Sequence, residues 1–164
     1  MPDTGLLLPG SANQGAGWLN PTNLLADDGS VATTNGTQTT TGNLRAFSFS
    51  TSFPDGIASL DGIAIEFQVT ALTGTATLNV GIMTNGVSPL STQAVDPQPG
   101  VYTLGGEGTL WGAQLANIIG NSSFGVVFQM DSIAGAQLSI DYAKVRVLTG
   151  WKGLSSIDWS RFPK

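Results

Sequence analysis

A period-two alternation of apolar and polar residues is the strongest constraint in this sequence. Between residues 63 and 71 the apolar side chains occupy every second position: Ile63, Ile65, Phe67, Val69 and Ala71. Such alternation is typical of a β-strand with one buried face. The pattern resumes at residues 76–82 after Thr73-Gly74, which predicts the returning arm of an antiparallel hairpin.

A second pair of alternating stretches lies nearer the C-terminal end. Phe124, Val126, Phe128 and Met130 share one face of the first stretch, and apolar side chains recur at 136, 138, 140 and 142 in the second. We expect two further antiparallel strands, connected by residues 131–135.

The apolar phase changes near Ala143, since the next apolar side chains after it are Val145 and Val147. A β-bulge explains the change, because one inserted residue moves all later side chains to the opposite face of the strand. Lys144 and Arg146 are then predicted to face outward.

The remaining elements are short. Strands are predicted at residues 31–34 and 44–49, and apolar side chains at 111, 115, 118 and 119 have helical spacing. We expect one short helix near 111–119, with Trp18 and Trp111 filling the ends of the core. Short strands without long helices predict an all-β fold, an antiparallel two-sheet β-sandwich of jelly-roll connectivity.

Composition supports a β fold and removes the usual catalytic groups. Only 10% of the residues are charged, so strong helix formers such as Glu and Lys are scarce, and the chain contains no His and no Cys. His is the side chain most used for proton transfer, and Cys supplies a nucleophile and a zinc ligand. We therefore expect a non-enzymatic protein without a cofactor.

The chain is predicted to form one domain with an arm at each end. A length of 164 residues suits a single domain. Clean alternation covers only the middle of the chain, so we assign residues 1–17 to an N-terminal arm, 18–149 to the sandwich and 150–164 to a C-terminal arm.

The start lacks the features of a signal peptide and no apolar stretch is long enough to cross a bilayer, so we expect a soluble protein.

Charge is distributed unevenly along the chain. Residues 1–143 carry ten acids and one base, which gives −9, whereas residues 144–164 carry five bases and one acid, which gives +4. Aromatic and Arg side chains, which often anchor protein interfaces, also occur in the basic stretch. We predict that it docks on neighbouring subunits; the alternative is that it folds over its own domain. The candidate partner-binding residues are Lys144, Arg146, Trp151, Lys152, Trp159, Arg161 and Phe162.

Other candidate sites have simpler explanations. Asp27 and Asp28 precede a glycine and supply oxygen ligands suited to calcium, but such residues also bond to their own backbone in turns. The only glutamates are Glu66 and Glu107, and they do not form an evident carboxylate pair for glycoside hydrolysis. Gly105-Gly106-Glu107-Gly108 is typical of a turn. The acidic body gives little support for nucleic-acid binding.

Several short motifs follow one another along residues 18–147. They are Trp18-Leu19-Asn20-Pro21-Thr22-Asn23, Asp28-Gly29, Leu60-Asp61-Gly62-Ile63, Leu110-Trp111-Gly112, Phe124-Gly125-Val126 and the stretch 138–147. Their order resembles that of small jelly-roll domains in structural proteins of tailed bacteriophages. The resemblance implies a virion component: a head decoration protein, or a subunit of a fibre, neck or baseplate. It also implies other virion proteins and further copies of the chain as partners, with trimers common among phage jelly rolls.

We therefore expect a structural component of a phage virion, a decoration or stabilising protein docked on neighbouring subunits through its arms, without a membrane or nucleic-acid partner. The competing expectation is a carbohydrate- or receptor-binding module of a tail fibre or baseplate. Loops at one end of the sandwich would then bind a host surface glycan. A close carboxylate pair in a cleft would instead indicate a glycan-cleaving enzyme.

Overall fold

The computed structural model describes residues 3–51, 53, 57–132 and 135–151, with the backbone alone of Trp151. In these residues the strands form two five-stranded sheets in which every pair of neighbouring strands is antiparallel. The predicted all-β two-sheet sandwich is therefore confirmed.

The strands are β1 (Ser11–Gln14), β2 (Trp18–Leu19), β3 (Ala32–Thr34), β4 (Leu44–Phe47), β5 (Ile57–Thr73), β6 (Ala76–Met83), β7 (Ser91–Val95), β8 (Gly100–Glu107), β9 (Gly125–Ser132) and β10 (Gln137–Trp151). Sheet 1 has the strand order β1-β4-β9-β6-β7 and sheet 2 the order β2-β3-β10-β5-β8. Short 3-10 helices lie at Pro21–Leu25 and Leu115–Asn117.

One hydrophobic core lies between the sheets. Phe67 of sheet 2 meets Phe128 of sheet 1 edge to face, with ring centroids 5.3 Å apart. Trp18 and Trp111 are both buried, as the sequence predicts. The largest fully buried side chains also include Phe124, Leu24, Leu44, Ile63, Ile65, Leu78, Ile82, Met83 and Ile118.

The predicted hairpin and the second predicted pair of strands are both connections between sheets. β5 lies in sheet 2 and β6 in sheet 1, and β9 and β10 are divided between the sheets in the same way. The alternation of apolar residues does not distinguish the two cases, because a hairpin within one sheet and a crossing between facing sheets bury the same side chains. The strands were predicted correctly and their partners were not.

The predicted bulge near Ala143 is present in β10. Ile140 pairs with Val69 and Ala143 with Phe67, so three positions of β10 match two of β5. Beyond the bulge Val145 and Val147 are fully buried, and Lys144 and Arg146 face outward as expected.

The structure differs from the predicted element boundaries at several places. The helix near 111–119 is shorter than expected, a 3-10 helix of three residues at Leu115–Asn117. Gly105-Gly106-Glu107 ends strand β8 and is not a turn. Residues 11–14, assigned to the N-terminal arm, form the edge strand β1, and β10 extends past residue 149 to Trp151. The rest of the predicted C-terminal arm lies outside the described residues.

Candidate interaction surfaces

Lys144, a predicted partner-binding residue, lies on the outer face of β10 and is bonded within its own chain. Its Nζ is 2.7 Å from Asp27 Oδ2 and 3.6 Å from Glu66 Oε1. The hydrogen bond to Asp27 raises the pKa of Lys144 above its ordinary value, although partial burial opposes the shift. Burial also raises the pKa of Tyr142, whose hydroxyl donates to Glu66 Oε1. Two carboxylates of the same chain therefore already neutralise this ammonium.

Arg146, the next predicted cation, ties the N-terminal segment to β10. Its Nη2 donates to Asp3 Oδ2, and nearby Leu7 and Val145 exchange two backbone hydrogen bonds of 2.8 and 3.0 Å. The hydrogen bond from Arg146 lowers the pKa of Asp3, and a second bond from the backbone N–H of Gly5 lowers it further. The Arg146 guanidinium is therefore also paired with a carboxylate of its own chain.

We expect the Asp3 carboxyl to titrate below its ordinary pKa of 3.8, and to return toward that value in the Arg146→Gln variant. Because the folded pKa is the lower one, the contact stabilises the folded state above pH 3.8 and is lost as the pH falls through the folded pKa. Carboxyl carbon NMR shifts during an acid titration measure the midpoint. Lys144→Gln is the control, and an Asp3 midpoint unchanged by Arg146→Gln would contradict the ion pair.

The remaining predicted partner-binding residues follow β10. The backbone of Trp151 ends the strand, opposite Ile57 of β5. The Trp151 side chain and the residues Lys152, Trp159, Arg161 and Phe162 lie outside what the structure describes. Their role in docking stays a prediction.

The loop with the predicted calcium candidates is held by the protein's own groups. Asp27 forms the ion pair with β10 described above, and Asp28 Oδ1 accepts a hydrogen bond from the backbone two residues later. The backbone N–H of Gly29 donates to both oxygens of Asp141. Within the described ranges, no three His, Cys, Asp or Glu side chains are grouped to hold a metal ion. Turn and ion-pair chemistry therefore accounts for these acids.

One long side of the sandwich is partly covered by the protein's own 3-10 helix. The edge strands β1 and β2 lie on this side, beside the 3-10 helix Pro21–Leu25. The helix contacts β1 and β4 of sheet 1 and β3 and β10 of sheet 2, and its Leu24 is fully buried in the core. We call this the covered side.

The opposite side presents two adjacent edge strands, β7 and β8, joined by residues 96–99. In the described part of the chain, β7 pairs only with β6 and β8 only with β5. One row of backbone N–H and C=O groups on each strand therefore has no strand partner. The only charged residues between 91 and 107 are Asp96 and Glu107. We call this surface, residues 91–107, the open side.

Exposed apolar side chains border the open side. Val101 in β8 is 59% exposed, and Val87 and Leu90 before β7 and Leu110 after β8 are also exposed. Natural edge strands are commonly protected by charge or proline, and neither occurs within residues 91–95 or 100–106. The alternation pattern missed β7 because a strand with both faces exposed carries no period-two signal. In β8 only Tyr102 and Leu104 face the core before Gly105 and Gly106 interrupt the alternation.

The position of β8 depends on a close contact at Gly105. Gly105 has a φ of 78°, in the left-handed region that favours glycine. Its backbone packs against Trp111, a buried side chain whose Nε1 donates a 3.0 Å hydrogen bond to the carbonyl of Ile63 in β5. Trp111 itself has a φ of 54°, which is uncommon for a bulky residue. This contact fixes the end of β8 against β5.

No family model and no curated protein matches this chain. Among the described residues, no helix has the length and apolar character needed to cross a membrane. A proposal for the function of this protein therefore rests on the sandwich geometry and on the motif resemblance.

A shallow groove lies among the loops at one end of the sandwich. It has a volume of about 320 Å³ and is lined by residues 48–51 and 120–122. The Ser48 hydroxyl donates to the carbonyl of Ser122, and the Thr51 hydroxyl donates to the carbonyl of Ile118. These two hydroxyl protons are used within the protein, which leaves fewer groups to bind a ligand.

Proposed function

We propose that this protein is a non-enzymatic structural component of a phage virion, a decoration or stabilising subunit docked on its neighbours. The observation that carries the proposal is the open side, where two edge strands lie together with Glu107 as their only charged residue, on a protein whose opposite side is partly covered by its own helix. An unprotected edge strand favours pairing with another chain, since its backbone groups are ready to extend a sheet.

The strand order supports the jelly-roll connectivity that the motif resemblance implies. Strands β3 to β10 divide into β3-β10-β5-β8 in sheet 2 and β4-β9-β6-β7 in sheet 1. Eight antiparallel strands in two sheets with such crossings are typical of a jelly roll, an architecture that viral capsid domains use. The strands β1 and β2 add one further strand to each sheet.

Replacing Thr92 in β7 and Thr103 in β8 by lysine should prevent assembly without unfolding the domain. Both side chains are exposed, so the core is unchanged, and charge on an edge strand opposes pairing. We expect self-association measured by sedimentation velocity to weaken roughly tenfold or more, about 1.4 kcal/mol. Incorporation into purified particles should fall in parallel.

The matched control is Thr73→Lys with Thr77→Lys. These threonines are also exposed, and they lie on β5 and β6, outside the open side. The control protein should assemble like the wild type. Unchanged assembly of the Thr92→Lys/Thr103→Lys protein would refute the proposal.

The groove near residues 48–51 favours a second candidate function, a carbohydrate- or receptor-binding module. A volume of about 320 Å³ is in the range of small-molecule sites, and Phe49, Ser50 and Ser122 are among the residues that line it. Glycan-array binding by the isolated protein, lost when the exposed Ser122 is replaced by tryptophan, would support this candidate. Absence of glycan binding together with loss of assembly in the edge variant would favour the structural role.

A further inference from the structure

We infer that residues 152–164 of one copy bind along β8 of a second copy, an inference that rests on the proposed assembly function. β8 supplies the longer edge of the open side, Gly100–Glu107, and every residue of it pairs with β5. We call residues 152–164 the C-terminal segment.

Acidic residues stand at both ends of this edge. Asp96 lies four residues before β8 and Glu107 is the last residue of β8, and both side chains are exposed. Among the ion pairs of the described residues, neither acid has a partner. The residues between them are uncharged. The edge is therefore a neutral strip bounded by two carboxylates.

The C-terminal segment has the complementary arrangement. Lys152 begins it and Arg161 follows nine positions later, with Leu154, Ile157, Asp158 and Trp159 between them and Lys164 as the last residue of the segment. Nine positions of extended chain span about 30 Å, while β8 covers about 23 Å and Asp96 lies beyond its start. Bases near both ends of the segment can thus meet acids near both ends of the edge. The exposed Val101 offers an apolar contact between them.

The path of β10 favours a second copy as the source of the segment. β10 and β8 both run antiparallel to β5, and Trp151 pairs with Ile57, five positions beyond the Gly62 that pairs with Glu107. β5 also lies between β10 and β8 in the sheet. Lys152 directly follows Trp151, so within its own copy it cannot reach either end of the β8 edge. The segment of another copy can align both bases at once.

Charge reversal in two separate proteins tests the inference. One variant carries Asp96→Lys with Glu107→Lys, and the other carries Lys152→Glu with Arg161→Glu. Each alone should self-associate at least roughly tenfold more weakly than the wild type in sedimentation velocity, because segment and edge then have like charge. An equimolar mixture should recover association, since each segment then meets an edge of opposite charge. Asp28→Lys, at an exposed acid outside the open side, is the control and should associate normally.

The inference would be overturned if the equimolar mixture did not recover association. It would also be overturned if only a protein that carries all four substitutions in one chain recovered association. If the mixture fails while Thr92→Lys/Thr103→Lys still blocks assembly, the open side assembles without the C-terminal segment. In that case the proposed function stands and this inference alone falls. A wild-type protein that neither self-associates nor occurs in particles would remove both.

Discussion

The Gly105→Ala variant should lose about 3 kcal/mol or more of its free energy of unfolding. A Cβ at this position would overlap the carbonyl oxygen of Ile63 and lie 2.8 Å from Trp111 Nε1, and the residue has a φ of 78°. Neither neighbour can move freely, since one is strand backbone and the other is a buried indole. Backbone strain and steric overlap therefore add together.

The control for this prediction is Gly29→Ala. Gly29 also has a positive φ, of 81°, but a Cβ there would meet nothing within 4 Å. It should show only the backbone cost of about 1 kcal/mol. Urea denaturation of both variants measures the difference, and equal losses would contradict the contact at Gly105. Because Gly105 belongs to β8, we also expect its variant to assemble poorly at temperatures where it stays folded.

The Trp18→Ala variant should lose about 3 to 5 kcal/mol of its free energy of unfolding. The Trp18 side chain is 1% exposed, and its Nε1 donates to Thr41 Oγ1 and to the carbonyl of Gly42, both at 2.9 Å. The substitution leaves a large cavity in the core and two acceptors without this donor.

Leu19→Ala is the matched control for Trp18. Leu19 is the other residue of β2 and its side chain is 44% exposed, so the loss should stay below about 1 kcal/mol. Thermal and urea denaturation give the two values. A Trp18→Ala protein as stable as the Leu19→Ala protein would show that the indole is not part of the core.

Period-two alternation in the sequence predicts strands that have one buried face, and it does not predict a strand whose two faces are both exposed. The alternation in β5, β6, β9 and β10 identified these strands and the bulge near Ala143. The predicted pairing of these strands was wrong because alternation shows that one face is buried but not which sheet covers that face. β7 exposes almost every side chain, so it left no pattern to detect.

The candidate site was predicted only in part. Lys144 and Arg146 were found from their charge, but their acidic partners, Asp27 and Asp3, lie 117 and 143 positions away in the chain. No local pattern indicates pairs at such separation, so both bases were assigned to a partner protein. The open side depends on which strands end each sheet, and strand order follows from connections that the sequence left ambiguous.

Electron cryomicroscopy of a purified particle that contains this protein tests the structural role most directly. The account predicts density for the sandwich on the particle, with β7 and β8 buried against a neighbouring subunit and the covered side free of such contact. A particle in which the open side faces solvent, or in which the covered side makes the contact with the neighbouring subunit, would contradict it.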